Sequence, residues 1–209
     1  MEIIKAIIKK GEKLFSTLKR IHYNNIPSNV VLNKTLTGIG ATYGELHSHR
    51  HSIIIEPNVP VILQKTDEHK NLQPLAVYAK CTEAKIKRYL NSSVQYKKLL
   101  CTPESYKKIK KAAGQAGINL YTDFFCLMDE CEKFIQDVDY RKRISQPIND
   151  FFLFKNKAMV SATPLKMRHP KLERQNFKMI KITPDFDYKV DLNLIVTNNY
   201  DKIIHEQFE

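Results

Sequence analysis

Leu36-Thr37-Gly38-Ile39-Gly40-Ala41-Thr42 is the stretch on which the fold turns. Glycines at 38 and 40, flanked by hydroxyl side chains, suit a tight turn whose successive backbone N–H groups converge on one ligand. Upstream, Val30-Val31-Leu32-Asn33-Lys34 is a short β-branched run, and residues 43–49 downstream read as a helix. Strand, glycine loop and helix follow each other where a parallel sheet offers an anion its C-terminal edge.

Further along, Phe124-Phe125-Cys126-Leu127-Met128 leads into Asp129-Glu130-Cys131-Glu132, and Lys157-Ala158-Met159-Val160 leads into Ser161-Ala162-Thr163-Pro164. Both runs are apolar on two faces, as buried parallel strands are. Residues 52–58, 75–79 and 96–101 supply more strands, and 82–90 a basic helix. Pro103 suits the first position of a helix running to Ala113 and capped at Gly114. Alternating strands and helices predict a three-layer α/β domain, its mostly parallel central sheet covered by helices on both faces. The tail over 178–197 reads as one or two outer strands.

At 209 residues the chain fits one α/β domain. Its formal charge of +12 predicts a polyanionic partner, although a Lys-rich soluble surface has the same composition. Cys81, Cys101, Cys126 and Cys131 have no CxxC spacing and read as reduced, buried thiols of a cytoplasmic protein. No apolar run reaches the ~18 residues of a membrane span, so no membrane partner is expected. Residues 1–20 place isoleucines and leucines at helical spacing between lysines, which predicts an N-terminal amphipathic helix packed on its own domain. Asn24-Asn25-Ile26-Pro27-Ser28-Asn29 is a turn-rich break. The expected division is therefore 1–28, helix and linker, and 29–209, the domain proper.

The chemistry of these segments is specific only in combination. A phosphate loop needs glycines for close backbone approach, a lysine for the outer phosphates and a hydroxyl for magnesium. Here the glycines and Thr42 are present, and Ala41 occupies the lysine position. Lys34, at the end of the preceding strand, is the nearest substitute charge. Asp129 and Glu130 at a strand end could hold a metal and orient water; an acidic helix N-terminus would have the same composition. Glu45, His47, His49 and His51 alternate like ligands, but one short segment seldom supplies a tetrahedral site. Arg141-Lys142-Arg143, Lys107-Lys108-Ile109-Lys110-Lys111 and Lys166-Met167-Arg168-His169 are basic clusters, each readable as solvated surface or as phosphate contacts. Tyr23, Tyr96 and Tyr106 could stack on bases or fill a core.

Together, in this order, the three motifs resemble the first RecA-like P-loop domain of a superfamily-two (DEAD/DEAH-like) helicase. Residues 52–58 resemble that family's next motif, and Leu99-Leu100-Cys101-Thr102-Pro103-Glu104 its strand-gripping turn. The resemblance covers about 29–164 and departs from the family at Ala41, a degenerate Walker A loop, and at Glu132, the last residue of the acidic box. It implies ATP and Mg2+ as ligands, with Thr37, Gly38, Ile39, Gly40, Ala41 and Thr42 around the phosphates and Thr42 and Asp129 on the metal. It implies Glu130 and Asp129 as catalytic carboxylates. Ser161, Thr163, Thr102 and Pro103 would face nucleic acid, a single strand and DNA in preference to RNA. No second RecA-like domain is legible, so one in trans is an expected partner. The expected function is an ATP-binding helicase-like domain with weak or no ATPase activity alone; the alternative is a non-catalytic nucleic-acid-binding or regulatory module, or a fragment, keeping the half-fold.

Overall fold

Ile53, Ile54 and Ile55 are consecutive and fully buried, yet they feed different apolar clusters. Ile53 and Ile55 join Val31, Leu99, Cys101, Cys126 and Met128, whereas Ile54 joins Leu32, Leu100, Leu127 and Val160. Successive strand side chains point to opposite faces, so a strand apolar at every position needs cover on both sides. Each such side chain contributes roughly 1.5–3 kcal/mol by leaving water.

The computed structural model, which describes residues 1–136, 145–163 and 170–188, has that arrangement. Its strands are β1 (Ile3–Ile8), β2 (Val30–Asn33), β3 (Ser52–Ile55), β4 (Leu75–Val77), β5 (Lys98–Cys101), β6 (Phe125–Met128), β7 (Asn156–Ser161) and β8 (Lys178–Pro184). They form one 8-stranded sheet in the order β1-β8-β2-β7-β6-β3-β5-β4. Every pairing is parallel. Helices α1 (Leu14–Arg20), α2 (Ala41–Leu46) and α3 (Val59–Glu68) cover one face through Leu14, Leu18, Leu46 and Ile62. The other face is covered by α4 (Glu83–Leu90), α5 (Tyr106–Gln115), α6 (Leu120–Asp123), α7 (Cys131–Gln136), α8 (Ser145–Phe151) and α9 (Pro170–Arg174). The expected three-layer α/β architecture is the observed one.

Local differences from the expectation have identifiable causes. Residues 1–20 are not one amphipathic helix. Residues 3–8 form an edge strand with Ala6 and Ile8 buried and Lys5 and Ile7 exposed, paired to β8 at Ile4↔Ile180 and Ala6↔Ile182. Paired isoleucines satisfy a helical template and a strand template alike, and β-branching tips the balance toward the strand. The helix begins only at Leu14, after a turn through Gly11 (φ 78°). The segment at Lys178 is not an outer strand, because β8 lies between β1 and β2. Residues 189–197 of that tail lie outside the described residues. Finally, α5 runs on through Gly114 to Gln115, and Gly117 (φ 70°) ends it. The bond from Ile118 N–H to Ala113 O, 3.0 Å, closes the end in the manner of a left-handed cap.

Candidate nucleotide site

Because the strands are parallel, their C-terminal ends open on one edge, and the motifs meet there. The loop leaving β2 is fixed by its neighbours. Lys34 N–H donates to Ser161 O at 2.8 Å, Thr35 Oγ1 to Ile182 O at 2.5 Å, and Leu14 N–H to Ile39 O at 2.9 Å. Thr35 (φ 57°), Gly38 (φ 69°) and Gly40 (φ 93°) take left-handed backbone, which turns the chain sharply before α2. Thr37 and Gly38 are exposed. Among the described residues, the N–H groups of Thr37, Gly38 and Gly40 donate to no backbone carbonyl.

Beneath the loop lies a buried polar cluster. The Thr42 hydroxyl contacts a carboxylate oxygen of Asp129 and Oε1 of Glu56, the latter at 3.0 Å. Lys34 Nζ lies 3.3 Å from Asp129 Oδ1, and Lys65 Nζ lies 2.6 Å from Glu56 Oε1 and 2.7 Å from Thr42 Oγ1. Thr42, Glu56 and Asp129 are almost wholly buried. Burial pushes the Asp129 carboxyl up, but Lys34, the Thr42 hydroxyl and Lys65 outweigh it and hold the group below the usual aspartate range. Burial, reinforced by the charge of Asp129, raises Glu56 above the glutamate range despite Lys65. The oxygens of Thr42, Glu56 and Asp129 make a hard donor set of the kind a magnesium ion takes, so the residues present fit that ion.

Glu130 (φ 50°) sits at the same edge, where its carboxylate pairs with Lys133 and its N–H donates to Asp129 Oδ1 at 3.0 Å. Two of the non-glycine residues with left-handed backbone, Thr35 and Glu130, thus fall at this site, where stored backbone strain commonly gathers. Glu132 is buried, and its Oε2 has no hydrogen-bond partner among the described residues. Ser161 closes its own turn, donating to Thr163 O at 2.8 Å and accepting from Thr163 N–H at 3.0 Å. Thr102 is buried, with its hydroxyl on Ser105 Oγ at 3.0 Å, and Pro103 is buried beside it. Pro164 lies outside the described residues.

Ala41 is 3% exposed and belongs to the apolar cluster of Leu14, Leu18 and Ile26. Glu56 and Lys65 escaped the sequence reading. Glu56 carried a weak signal, a lone acid closing the strand Ile53-Ile54-Ile55. Lys65, on the far turn of α3, carried none.

Glu45 and the alternating histidines do not converge. Glu45 is fully buried and accepts from Arg50 Nε and Ser48 Oγ, both at 2.9 Å. His51 Nδ1 accepts from Lys97 N–H, His49 stacks on Tyr96, and His47 lies against Tyr43. Much of the lysine cluster on α5 is engaged within the fold. Lys108 donates to the carbonyls of Tyr78, Ala79 and Cys81, Lys110 pairs with Asp150 and Lys111 with Glu83. Arg141-Lys142-Arg143 and residues 166–169 lie outside the described residues. Tyr106 is a core residue, 1% exposed.

Searches against protein-family models and curated protein sequences return no match. Among solved structures, a hypothetical ATP-dependent RNA helicase from Sulfolobus tokodaii superposes with a TM-score of 0.50 at 16% identity, over 78% of this chain and 55% of that one. The chain shares the fold of a helicase domain. The Hef helicase domain of Pyrococcus furiosus aligns at a TM-score of 0.45 and 13% identity, over 77% of this chain and 36% of that one. This chain therefore spans about half the length of the first of these structures, and at such identity the likeness is one of fold. No helix among the described residues is long and apolar enough to cross a membrane.

Proposed function

We propose that the chain is an ATP-binding, helicase-like domain that acts on nucleic acid and turns ATP over slowly or not at all by itself. One observation carries this reading. Thr42, in the first turn of α2 after β2, touches Asp129, just past the end of β6, although β7 separates those strands. Thr42 and Asp129 would hold Mg2+, which neutralises charge on the phosphates, and the exposed loop backbone at Thr37 and Gly38 would face those phosphates. Glu130 is the carboxylate for orienting water once it leaves Lys133. Ser161, Thr163, Thr102 and Pro103 share this edge. The Ser161 and Thr102 hydroxyls are used within their turns, so a strand would meet main chain there, a sequence-independent contact. A second RecA-like domain in trans would complete the cleft and supply an arginine finger, worth roughly 10³–10⁵ in rate.

The second reading, a non-catalytic nucleic-acid-binding module, draws on Ala41. Its methyl sits in an apolar cluster where a phosphate-binding loop normally carries a cation. Calorimetric titration with ATP and Mg2+, followed by turnover assays with and without single-stranded DNA, separates the two. On the first reading ATP binds, Glu130→Gln abolishes any turnover while leaving binding nearly intact, and Asp129→Asn weakens Mg2+-dependent binding. Binding of single strands without ATP favours the second reading, and binding of neither removes both.

A further inference from the structure

The loop over Thr37–Thr42 contains no cation, yet lysine side chains from elsewhere reach its floor. Lys34 is the deeper one. Its side chain is 8% exposed, its backbone N–H is tied to Ser161 O, and its ammonium is committed to Asp129. Lys65 differs. It projects from α3, its side chain is 25% exposed, and its ammonium touches Thr42 Oγ1 and Glu56 Oε1 together. A lysine ammonium is a compact charge on a long flexible stem, so it can follow an anion while its root stays fixed.

We propose that Lys65 is a relocated phosphate lysine: it supplies to a bound nucleoside polyphosphate the positive charge that Ala41 cannot, and Glu56 positions it. The assignment rests on the nucleotide reading given above. Glu56 and Asp129 against Lys34 and Lys65 leave the floor of the site close to neutral, so a polyphosphate entering with a divalent cation meets no excess negative charge. Whatever takes the Thr42 hydroxyl releases Lys65 from that contact but leaves it paired with Glu56. The sequence position explains why no loop motif betrays it: Lys65 lies 23 residues beyond Thr42.

The test compares binding of ATP, ADP and adenosine, each with Mg2+, to the wild-type chain and to Lys65→Ala, Lys65→Met, Lys65→Arg and Lys34→Ala, by calorimetry. Lys65→Met retains the apolar stem should Lys65→Ala fail to fold, and urea denaturation without nucleotide monitors each variant. A charge-assisted contact of about 1.5–3 kcal/mol corresponds to about 10–150-fold in affinity. Lys65→Ala and Lys65→Met should lose that factor for ATP, less for ADP and nothing for adenosine, while Lys65→Arg keeps most of it. A lysine that merely neutralised Glu56 would change stability without this gradation by phosphate number. Wild-type affinity for ATP in Lys65→Met overturns the proposal and leaves the nucleotide reading standing. Loss confined to Lys34→Ala moves the charge to Lys34 and also overturns it. Absence of ATP binding in the wild-type chain removes the nucleotide reading and this inference with it.

Discussion

Ala41 illustrates how one residue can belong to two accounts. In the sequence it is a missing cation; in the structure it is also a core methyl, 3% exposed beside Leu14, Leu18 and Ile26. Helix α1 is docked over it, with Leu14 N–H bonded to Ile39 O. Restoring the lysine by Ala41→Lys adds four heavy atoms beside Leu14, Leu18 and Ile26, where the lining leaves only a cleft too small for that stem. The expected result is a loss of about 1–3 kcal/mol in stability from overpacking and burial of the stem, read as a lowered urea midpoint. An unchanged midpoint would mean that the new side chain escapes to the site with the core undisturbed. The identity of position 41 is legible in the sequence; its packing is not, because Leu14, Leu18 and Ile26 reach it only through tertiary contacts from a separate segment.

At the scale of elements, the end of α5 separates two glycines that look interchangeable in Gly114-Gln115-Ala116-Gly117. Gly114 lies within the helix, exposed, with open space where a Cβ would go. Gly117 holds φ at 70°, where an L side chain is strained. Gly114→Ala should raise stability by about 0.5–1 kcal/mol, through the entropy of the unfolded chain and the better helix former, whereas Gly117→Ala should lower it by at least as much. Equilibrium urea denaturation of the pair distinguishes this end from a cap at Gly114, which would reverse the order. The same lesson holds for β1. A strand that pairs with residues 178–184 gains its partner only when the chain folds, so local periodicity could not choose between strand and helix.

Across the whole molecule, the N-terminal ends of β3 and β5 carry a second buried ionic cluster, joined to the candidate nucleotide site through α2, which bears both Thr42 and Glu45. Lys98, its side chain 2% exposed, donates to Glu45 O at 2.7 Å, Ser48 Oγ at 2.9 Å and Ser52 Oγ at 3.1 Å. Burial pulls its ammonium down from 10.5 to about 8; Glu45 opposes this and Arg50 adds to it. A lysine depressed in the folded state binds fewer protons than its unfolded counterpart between about 8 and 10.5. Stability from this group therefore rises with pH across that window, by an amount on the order of 1–3 kcal/mol. Denaturation curves from pH 7 to 10 should show that rise in the wild-type chain relative to Lys98→Met. Parallel curves for the two would place the charge elsewhere. Lysines at 34, 65, 98, 108, 110 and 111 are engaged within the fold, but each ion pair removes one charge of either sign, so the net excess of +12 is carried by the remaining basic residues.

By itself the sequence determined the parallel α/β architecture and the order in which loop, acidic pair and Ser-Ala-Thr turn arrive. The reason is that strands apolar on both faces permit little else, and glycines, carboxylates and hydroxyls mark their ends. Only the tertiary structure decided which charges the site contains. Lys65 and Glu56 meet Thr42 and Asp129 because β2, β3 and β6 end at one sheet edge and α3 carries Lys65 back to it, a proximity set by strand order rather than by spacing along the chain. The same strand order placed β8 between β1 and β2, a long-range pairing to which short-range patterning is blind.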